Sequence, residues 1–164
     1  MTPTITLIPP ATDSVLRQAC QQLREHVFIV EQKIDPRIER DDRDSDSWHL
    51  LMHDKTMALA TGRLLPEGRI GRMAVDSRWR GQGLGRCILE GLLLIAASQG
   101  LPRVGLHAQA GAVDFYRRAG FVTCGKDFVE AGILHTPMDR ACPAAPEDLQ
   151  RALDELQRAT FSST

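Results

Sequence analysis

A short basic turn dense in glycine constrains this chain more than any other segment. Residues 78–86 read Arg-Trp-Arg-Gly-Gln-Gly-Leu-Gly-Arg, between an apolar strand pattern, Ile70 to Val75, and a helical pattern, Leu84 to Ser98. Glycines let the backbone turn tightly, and the first amides of the following helix have no acceptor within that helix. The helix dipole and the arginines of the turn add positive charge. The turn therefore predicts a binding site for an anion such as a pyrophosphate.

Two familiar phosphate-binding glycine loops do not fit this spacing. A P-loop places Lys and then Ser or Thr after its last glycine, whereas Gly85 is followed by Arg86 and Cys87. The dinucleotide fingerprint needs a glycine where this chain has Arg86, and here the turn comes in mid-chain after several strand patterns. Both kinds of nucleotide-binding protein are therefore disfavoured.

The remaining pattern is Arg80-x-x-Gly83-x-Gly85, and a second segment, Gln109 to Phe121, reads Gln-Ala-Gly-Ala-Val-Asp-Phe-Tyr-Arg-Arg-Ala-Gly-Phe. Together they resemble two signatures of the GNAT N-acetyltransferase superfamily. The resemblance implies the GNAT acyl-CoA N-acyltransferase fold, which is α/β (α+β), with a mixed, mostly antiparallel twisted sheet flanked by helices. It also implies acetyl-CoA as co-substrate. Gln109 stands where the family has asparagine, so the expected contact to the pantetheine arm is longer by one methylene.

An ordered set of segments between residues 23 and 138 resembles one part of that superfamily, the ElaA-like branch. This ordered set is more specific than the glycine turn alone, but it implies no particular acceptor. The matching positions are Arg24, residues 27–32, Glu39, Asp42, His49, Arg63, residues 71–75 and a last group between Gly125 and Met138.

The resemblance implies contacts to coenzyme A and one catalytic residue. Backbone groups of residues 73–75 would pair with the pantetheine arm as a substitute strand. Tyr116, the only tyrosine, would lie beside the thioester sulfur as general acid. A phenol of pKa about 10 protonates a thiolate of pKa about 8.5 at a cost of roughly 2 kcal/mol, so hydrogen bonding to the thiolate is the alternative. The expected coenzyme A contacts are Met73, Ala74, Val75, Arg80, Gly81, Gln82, Gly83, Leu84, Gly85, Arg86 and Gln109.

Direct acetylation of an amine also requires a base, because an alkyl amine of pKa near 10.4 is almost fully protonated at pH 7 and its free form costs about 4.6 kcal/mol. Glu31 at a helix end and His135 on the last strand are the first expectations for the catalytic base, ahead of His49 and His107. His49 and Arg63 are the expected substrate contacts. Arg63 would either orient an acidic group of the acceptor or pair with a nearby carboxylate.

The segment Lys33 to Ser47 has little apolar content and five acids against three arginines between Asp35 and Asp44. It is predicted to be a solvated connection with at most a helical turn. Asp42-x-Asp44-x-Asp46 resembles the opening of a calcium loop, but the glycine and the final glutamate of that motif are missing. No metal is expected, and these carboxylates would at most attract a cationic amine.

Size and charge set the remaining expectations. The 164 residues are 43% hydrophobic with a formal charge of −1 and a pI near 6.5, which suits one domain without a nucleic-acid surface. The four cysteines are widely spaced, and no apolar run reaches the length of a membrane span. We expect a cytoplasmic protein that acts on a small-molecule amine or a peptide N-terminus, without membrane or nucleic-acid partners. The oligomeric state is open, a homodimer being one option.

Periodicity places the elements in mixed α/β order. A first strand over residues 4–8 precedes a helix that Thr12 or Asp13 can cap, and a meander covers residues 48–52, 56–65 and 69–75. The later expected elements are a helix over 84–98, a strand over 103–108, a helix over 111–119 and a strand pair over 121–126 and 133–139. Residues 1–141 would form the GNAT domain, and residues 142–164 a linker and an amphipathic helix packed on it.

The sequence thus predicts an acetyl-CoA-dependent N-acetyltransferase that moves the acetyl group directly to a primary amine. The rival hypothesis is a non-catalytic coenzyme A-binding module with a regulatory role. Polyamines, aminoglycoside-like molecules, amino acids and protein N-termini are all compatible acceptors.

Overall fold

A computed structural model describes residues 2–162 as two four-stranded β-sheets with helices packed against them. The first sheet is an antiparallel meander in the order β1-β2-β3-β4, and in the second β8 pairs with β5, β6 and β7, all antiparallel. The strands are β1 (Thr4–Ile8), β2 (Trp48–Asp54), β3 (Met57–Leu64), β4 (Ile70–Val75), β5 (Arg103–Gln109), β6 (Val122–Thr123), β7 (Phe128–Glu130) and β8 (Ile133–Ala141).

The expected fold class is confirmed, and the last strand pair differs in detail. The segment predicted as a strand over 121–126 is a strand only at β6, and β7 follows beyond the predicted range. Residues 124–127 separate the two strands, and the carboxylate of Asp127 accepts a hydrogen bond of 2.8 Å from the Thr136 hydroxyl on β8. This bond anchors the intervening loop to β8 and lets β7 form its own hairpin with the start of that strand.

Helix α1 (Val15–Arg24) has its N-cap at Ser14, one residue after Asp13 and two after Thr12, the two predicted caps. The hydroxyl of Ser14, rather than a side chain of Thr12 or Asp13, accepts the hydrogen bond from the amide of Arg17 at 3.2 Å. The helix continues as a π-helical segment, Glu25–Glu31. Two shorter helices are α2 (Pro36–Glu39) and α4 (Val113–Arg118).

Helix α3 (Leu84–Ser98) contributes more buried residues to the core than any other element of the described chain. Ten of its fifteen residues are buried, so the helix is covered on several sides rather than along one stripe. A Cβ on Gly91 would come within 2.3 Å of Leu50 and 3.3 Å of Leu153, so only glycine allows these neighbours to approach so closely. This packing joins α3 to the first sheet and to the tail helix.

The tail segment forms α5 (Leu149–Ser162), which packs on α3 and on β1. Leu153 is buried, and the Gln157 side chain accepts a hydrogen bond of 2.8 Å from the amide of Ile5. Residues 163 and 164 of the predicted tail, like Met1, lie outside the described residues. Within residues 2–162 no helix is both long and apolar enough to cross a membrane.

Candidate active site

The candidate site is a cleft where β4 and β5 separate. In the described part of the chain a single parallel bridge joins Arg69, just before β4, to Gly105 of β5, and beyond it each strand pairs only with strands of its own sheet. Two cavities open along this cleft. The strand cavity, of about 330 Å³, lies between α2, β4, β5 and β8, and the loop cavity, of about 490 Å³, lies against the glycine turn. Met73, Ala112 and Tyr116 line both cavities, so the cavities meet at these three residues.

The glycine turn shapes the loop cavity as an anion cradle. Gly83 caps α3 in the left-handed conformation with φ of 86°, and no side chain caps the helix. Gly81 has φ of 75°, and the space around a Cβ on either glycine is open to 4 Å. The first backbone hydrogen bond of α3 joins the amide of Cys87 to the carbonyl of Gly83, which leaves the preceding amides free for an external acceptor.

Most of the expected coenzyme A contacts line the loop cavity. These are Met73, Val75, Arg80, Gly81, Gly83, Leu84, Gly85 and Arg86, joined by Trp79, Phe115 and Arg118, which the sequence did not single out. Gln82 and Ala74 are not part of the lining. The side chain of Ala74 is buried with Leu23, Val27 and Phe28, so only its backbone could reach a ligand.

Gln109 lies on the strand-cavity side instead. Its amide group exchanges two hydrogen bonds, of 3.0 and 3.3 Å, with the amide group of Gln32 at the end of the π-helical segment. This pair of glutamines connects the π-helical segment, on one side of the cleft, to β5 of the second sheet on the other side. The expected contact between Gln109 and a pantetheine arm would require this pair to open.

Glu31, an expected base, lies next to the glycine turn rather than in a cavity. Its carboxylate pairs with the Arg80 guanidinium at 2.8 Å, and Arg80 also donates a hydrogen bond of 3.0 Å to the carbonyl of Val75. Glu31 is absent from the linings of both cavities. In this position Glu31 can orient the loop arginine.

Tyr116 lies at the junction of the two cavities, on α4. Its ring makes edge contacts with Phe115 at 5.0 Å and Phe121 at 5.9 Å between centroids. Burial raises the pKa of Tyr116 to about 12, and no charged group or hydrogen bond from residues 2–162 contributes to that shift. The phenol therefore stays protonated over the whole neutral and moderately alkaline range.

His135 and His107 lie on the wall formed by the second sheet, and both contact the ring of Phe128. His135 is 8% exposed and lines the strand cavity. Its Nδ1 lies 2.7 Å from the carbonyl of Ile133, which assigns the proton to Nδ1 and leaves Nε2 as an acceptor in the neutral ring. Burial lowers the pKa of His107, and the charge of Arg69 lowers it further.

His135 shares the strand cavity with residues of the cavity junction. Gln109 pairs with His135 across β5 and β8. Both line the strand cavity together with Met73 and Tyr116. Of the two first expectations for the base, His135 is therefore the one that lies in a cavity with the junction residues.

His49 and Arg63, the expected substrate contacts, are both buried. His49 is 2% exposed, lines neither cavity and donates from Nε2 to the carbonyl of Asp44 at 3.0 Å. Burial lowers its pKa, so the ring is neutral and structural. Arg63 does line the strand cavity, but Asp41 holds it through two bonds of 2.8 and 2.9 Å and Asp44 through one of 3.0 Å.

These contacts belong to an ion-pair network that the sequence did not reveal. Arg24 pairs with Glu39 at 2.6 Å and with Asp44 at 2.8 Å, and Arg72 pairs with Asp41 at 3.1 Å. Glu39 is only 2% exposed, so the expectation of a solvated acidic loop is wrong for this part of the chain. The carboxylates balance two buried arginines, Arg24 and Arg63, and the half-buried Arg72. All three lie on other elements, so the composition of the loop alone does not indicate these partners.

The site also depends on a bulge in β4. Thr61 pairs with Ala74 and Arg63 with Gly71, so Arg72 and Met73 together face Gly62. Arg72 has φ of 50°, which is uncommon for a residue with a side chain. The bulge interrupts the regular ladder at Met73, where the two cavities meet. Among the described residues no group of three His, Cys, Asp or Glu side chains could hold a metal ion.

Comparison with known proteins identifies the family of the chain. The Acetyltransferase (GNAT) domain family matches residues 13–142. The N-acetyltransferase YjcF of Bacillus subtilis is 33% identical over 120 residues, which cover 71% of this chain and 86% of YjcF.

Two crystal structures share the fold. An acyl-CoA N-acyltransferase from Pseudomonas aeruginosa has 35% identity and a TM-score of 0.76, and Escherichia coli ElaA has 29% identity and a TM-score of 0.76. Each comparison covers 84% of this chain and 99% of the other. The resemblance that the sequence motifs suggested is thereby confirmed, and the chain is an N-acetyltransferase of the GNAT family, in its ElaA-like branch.

Proposed function

We propose that the protein transfers the acetyl group of acetyl-CoA directly to a primary amine, with the coenzyme in the loop cavity and the amine in the strand cavity. The observation that carries this proposal is the junction at Met73, Ala112 and Tyr116, which belong to both cavities. An amine that enters from one side can therefore meet a thioester that enters from the other. No covalent enzyme intermediate is needed.

The residues around the loop cavity suit the coenzyme. The free amides at the start of α3 would receive the pyrophosphate, with Arg80 and Arg86 adding charge. Within residues 2–162 the edge of β4 away from β3 has no strand partner beyond Arg69, so the backbone of residues 73–75 can pair with the amides of the pantetheine arm.

The reaction forms a C–N bond to the amine and breaks the C–S bond of the thioester, so a thiolate develops near Tyr116. Protonation of a thiolate of pKa about 8.5 by a phenol of pKa about 12 would cost roughly 5 kcal/mol. Tyr116 therefore acts by donating a hydrogen bond to the thiolate, rather than by giving up its proton. The high pKa favours this role because the phenol does not ionise at the working pH.

His135 is the base in this proposal. With the proton on Nδ1, its Nε2 can accept a hydrogen bond, and it lines the strand cavity together with Met73 and Tyr116. It can take the proton that the attacking amine must lose, directly or through a water molecule. Glu31 has the separate role of positioning Arg80.

The test is release of coenzyme A thiol from acetyl-CoA with polyamines, aminoglycosides, amino acids and peptides as acceptors. At least one class should raise thiol release well above the rate of hydrolysis. His135→Gln should lower kcat by about 10²-fold or more and leave acetyl-CoA affinity unchanged. Tight acetyl-CoA binding without turnover of any amine would instead favour the non-catalytic module.

A further inference from the structure

Most charges that line the strand cavity are already neutralised within the protein. Arg63 and Arg72 pair with Asp41, Glu39 pairs with Arg24, and Arg43 pairs with Glu67 at 2.8 Å. Within residues 2–162, two charged lining side chains have no ion-pair partner within 4 Å. They are Arg69 and Glu130, both exposed to solvent.

These two side chains lie at different ends of the strand cavity. Arg69 makes the bridge where β4 and β5 meet, four residues before Met73. Because Arg72 and Met73 both face Gly62 in the bulge, this corresponds to about three residues, or about 10 Å, of strand. Glu130 ends β7 and pairs with Ile133, on the same hairpin as His135. The negative charge of Glu130 thus lies on the hairpin that carries the proposed base, His135, and the positive charge of Arg69 lies where the cleft closes.

The pKa of His107, which lies on β5 between the two ends of the cavity, responds to the charges of both Arg69 and Glu130. After burial, Arg69 is the next influence that lowers its pKa, and Glu130 raises it. Both side chains therefore act across the same cavity. An acceptor that extends from the His135 end of the cavity to the Arg69 to Gly105 bridge would have Glu130 near one end and Arg69 at the other.

On this basis we infer that the acceptor is a primary amine that carries a carboxylate several bonds away, with its amine near Glu130 and its carboxylate at Arg69. This inference rests on the proposed function and narrows its acceptor. A polyamine or an aminoglycoside carries several cationic groups. Among the described lining residues it would find one unpaired carboxylate, that of Glu130, and the positive charge of Arg69 would repel its other cations. An α-amino acid, whose two charges are neighbours, would span only part of the distance from Met73 to Arg69.

The test compares three amines of equal length, 6-aminohexanoate, 1,6-diaminohexane and hexylamine, in the thiol-release assay. We expect kcat/KM to be at least about tenfold higher for 6-aminohexanoate, because a hydrogen bond between charged groups contributes about that factor. Arg69→Ala should remove this advantage through KM, and Arg69→Glu should reverse it in favour of the diamine. The matched control is Arg103→Ala, an exposed arginine that starts β5 and lines neither cavity.

Equal or better use of the diamine by the unmodified protein would overturn the inference, and so would an equal loss for all three amines in Arg69→Ala. Either result leaves the proposed function standing, since that requires only acetyl-CoA binding and turnover of some amine. If no amine is acetylated, calorimetric titration of 6-aminohexanoate into the protein saturated with coenzyme A still decides the matter. Binding that Arg69→Ala weakens would support the inference, and absence of binding would refute it.

Discussion

Replacement of Tyr116 by phenylalanine removes a single oxygen atom from the junction of the two cavities. The ring contacts with Phe115 and Phe121 do not involve that oxygen, and no described residue supplies a hydrogen bond that would be lost. The free energy of unfolding should therefore change by less than about 0.5 kcal/mol. Acetyl-CoA affinity should also be retained, because the loop cavity keeps its cradle.

The effect on turnover follows from the hydrogen bond that Tyr116 would donate to the thiolate. A hydrogen bond to a charged group contributes roughly 1.5–3 kcal/mol, so kcat should fall about 10- to 150-fold. The assay is thiol release at saturating acetyl-CoA and amine, with calorimetry to measure acetyl-CoA affinity separately.

The pH dependence separates hydrogen bonding from proton transfer. Burial raises the pKa of Tyr116 to about 12, so its ionisation should not reduce kcat as the pH rises to about 10. A change in kcat of twofold or less in Tyr116→Phe would refute the role of the hydroxyl. A fall in kcat near pH 9–10 that disappears in the variant would refute the raised pKa.

Three further changes test other parts of the structure. Gly91→Ala should lower the free energy of unfolding in urea by about 1–2 kcal/mol, because its Cβ would lie 2.3 Å from Leu50 Cδ2. The control is Gly111→Ala, since the space around a Cβ at Gly111 is open to 4 Å. Equal effects of the two variants would contradict the close packing described at Gly91. Burial opposes ionisation of Asp41, but Arg63 outweighs it and lowers the pKa of Asp41 to about 2. The unfolded state therefore binds more protons, and stability should fall as the pH drops from about 4 toward 2. With a discount for the partial exposure of Asp41, the free energy of unfolding should fall by about 1 kcal/mol over this pH range. An equal fall in the Asp41→Asn variant would show that another group is responsible. Glu31→Gln should leave kcat unchanged at saturating acetyl-CoA and shift the KM for acetyl-CoA less than about fivefold, whereas a 100-fold fall in kcat would identify Glu31 as the base.

The parts of the site that sequence could predict are those that local patterns determine. The glycine turn combines a strand end, a basic turn and a helix start within nine residues, and its conformation depends on glycines that the sequence shows directly. Tyr116 was identified in the same way, from one short signature. Both then depend on family resemblance for their chemical roles.

The parts that sequence missed depend on pairs distant along the chain. Glu31 and Arg80 are 49 residues apart and Gln32 and Gln109 are 77 apart, so no local pattern could join them. The acidic segment around Glu39 looked solvated because its arginine partners lie on α1, β3 and β4. Burial of a charge depends on such partners, and composition does not contain them.

The most direct test of the central claim is whether the acetyl group passes from thioester to amine without residing on the protein. Initial rates with both substrates varied should give intersecting double-reciprocal lines, because the two cavities meet at Met73, Ala112 and Tyr116 and admit both substrates together. The mass of the intact protein should also be unchanged after incubation with acetyl-CoA alone. Parallel lines, together with a protein heavier by one acetyl group that a subsequent amine removes, would contradict direct transfer.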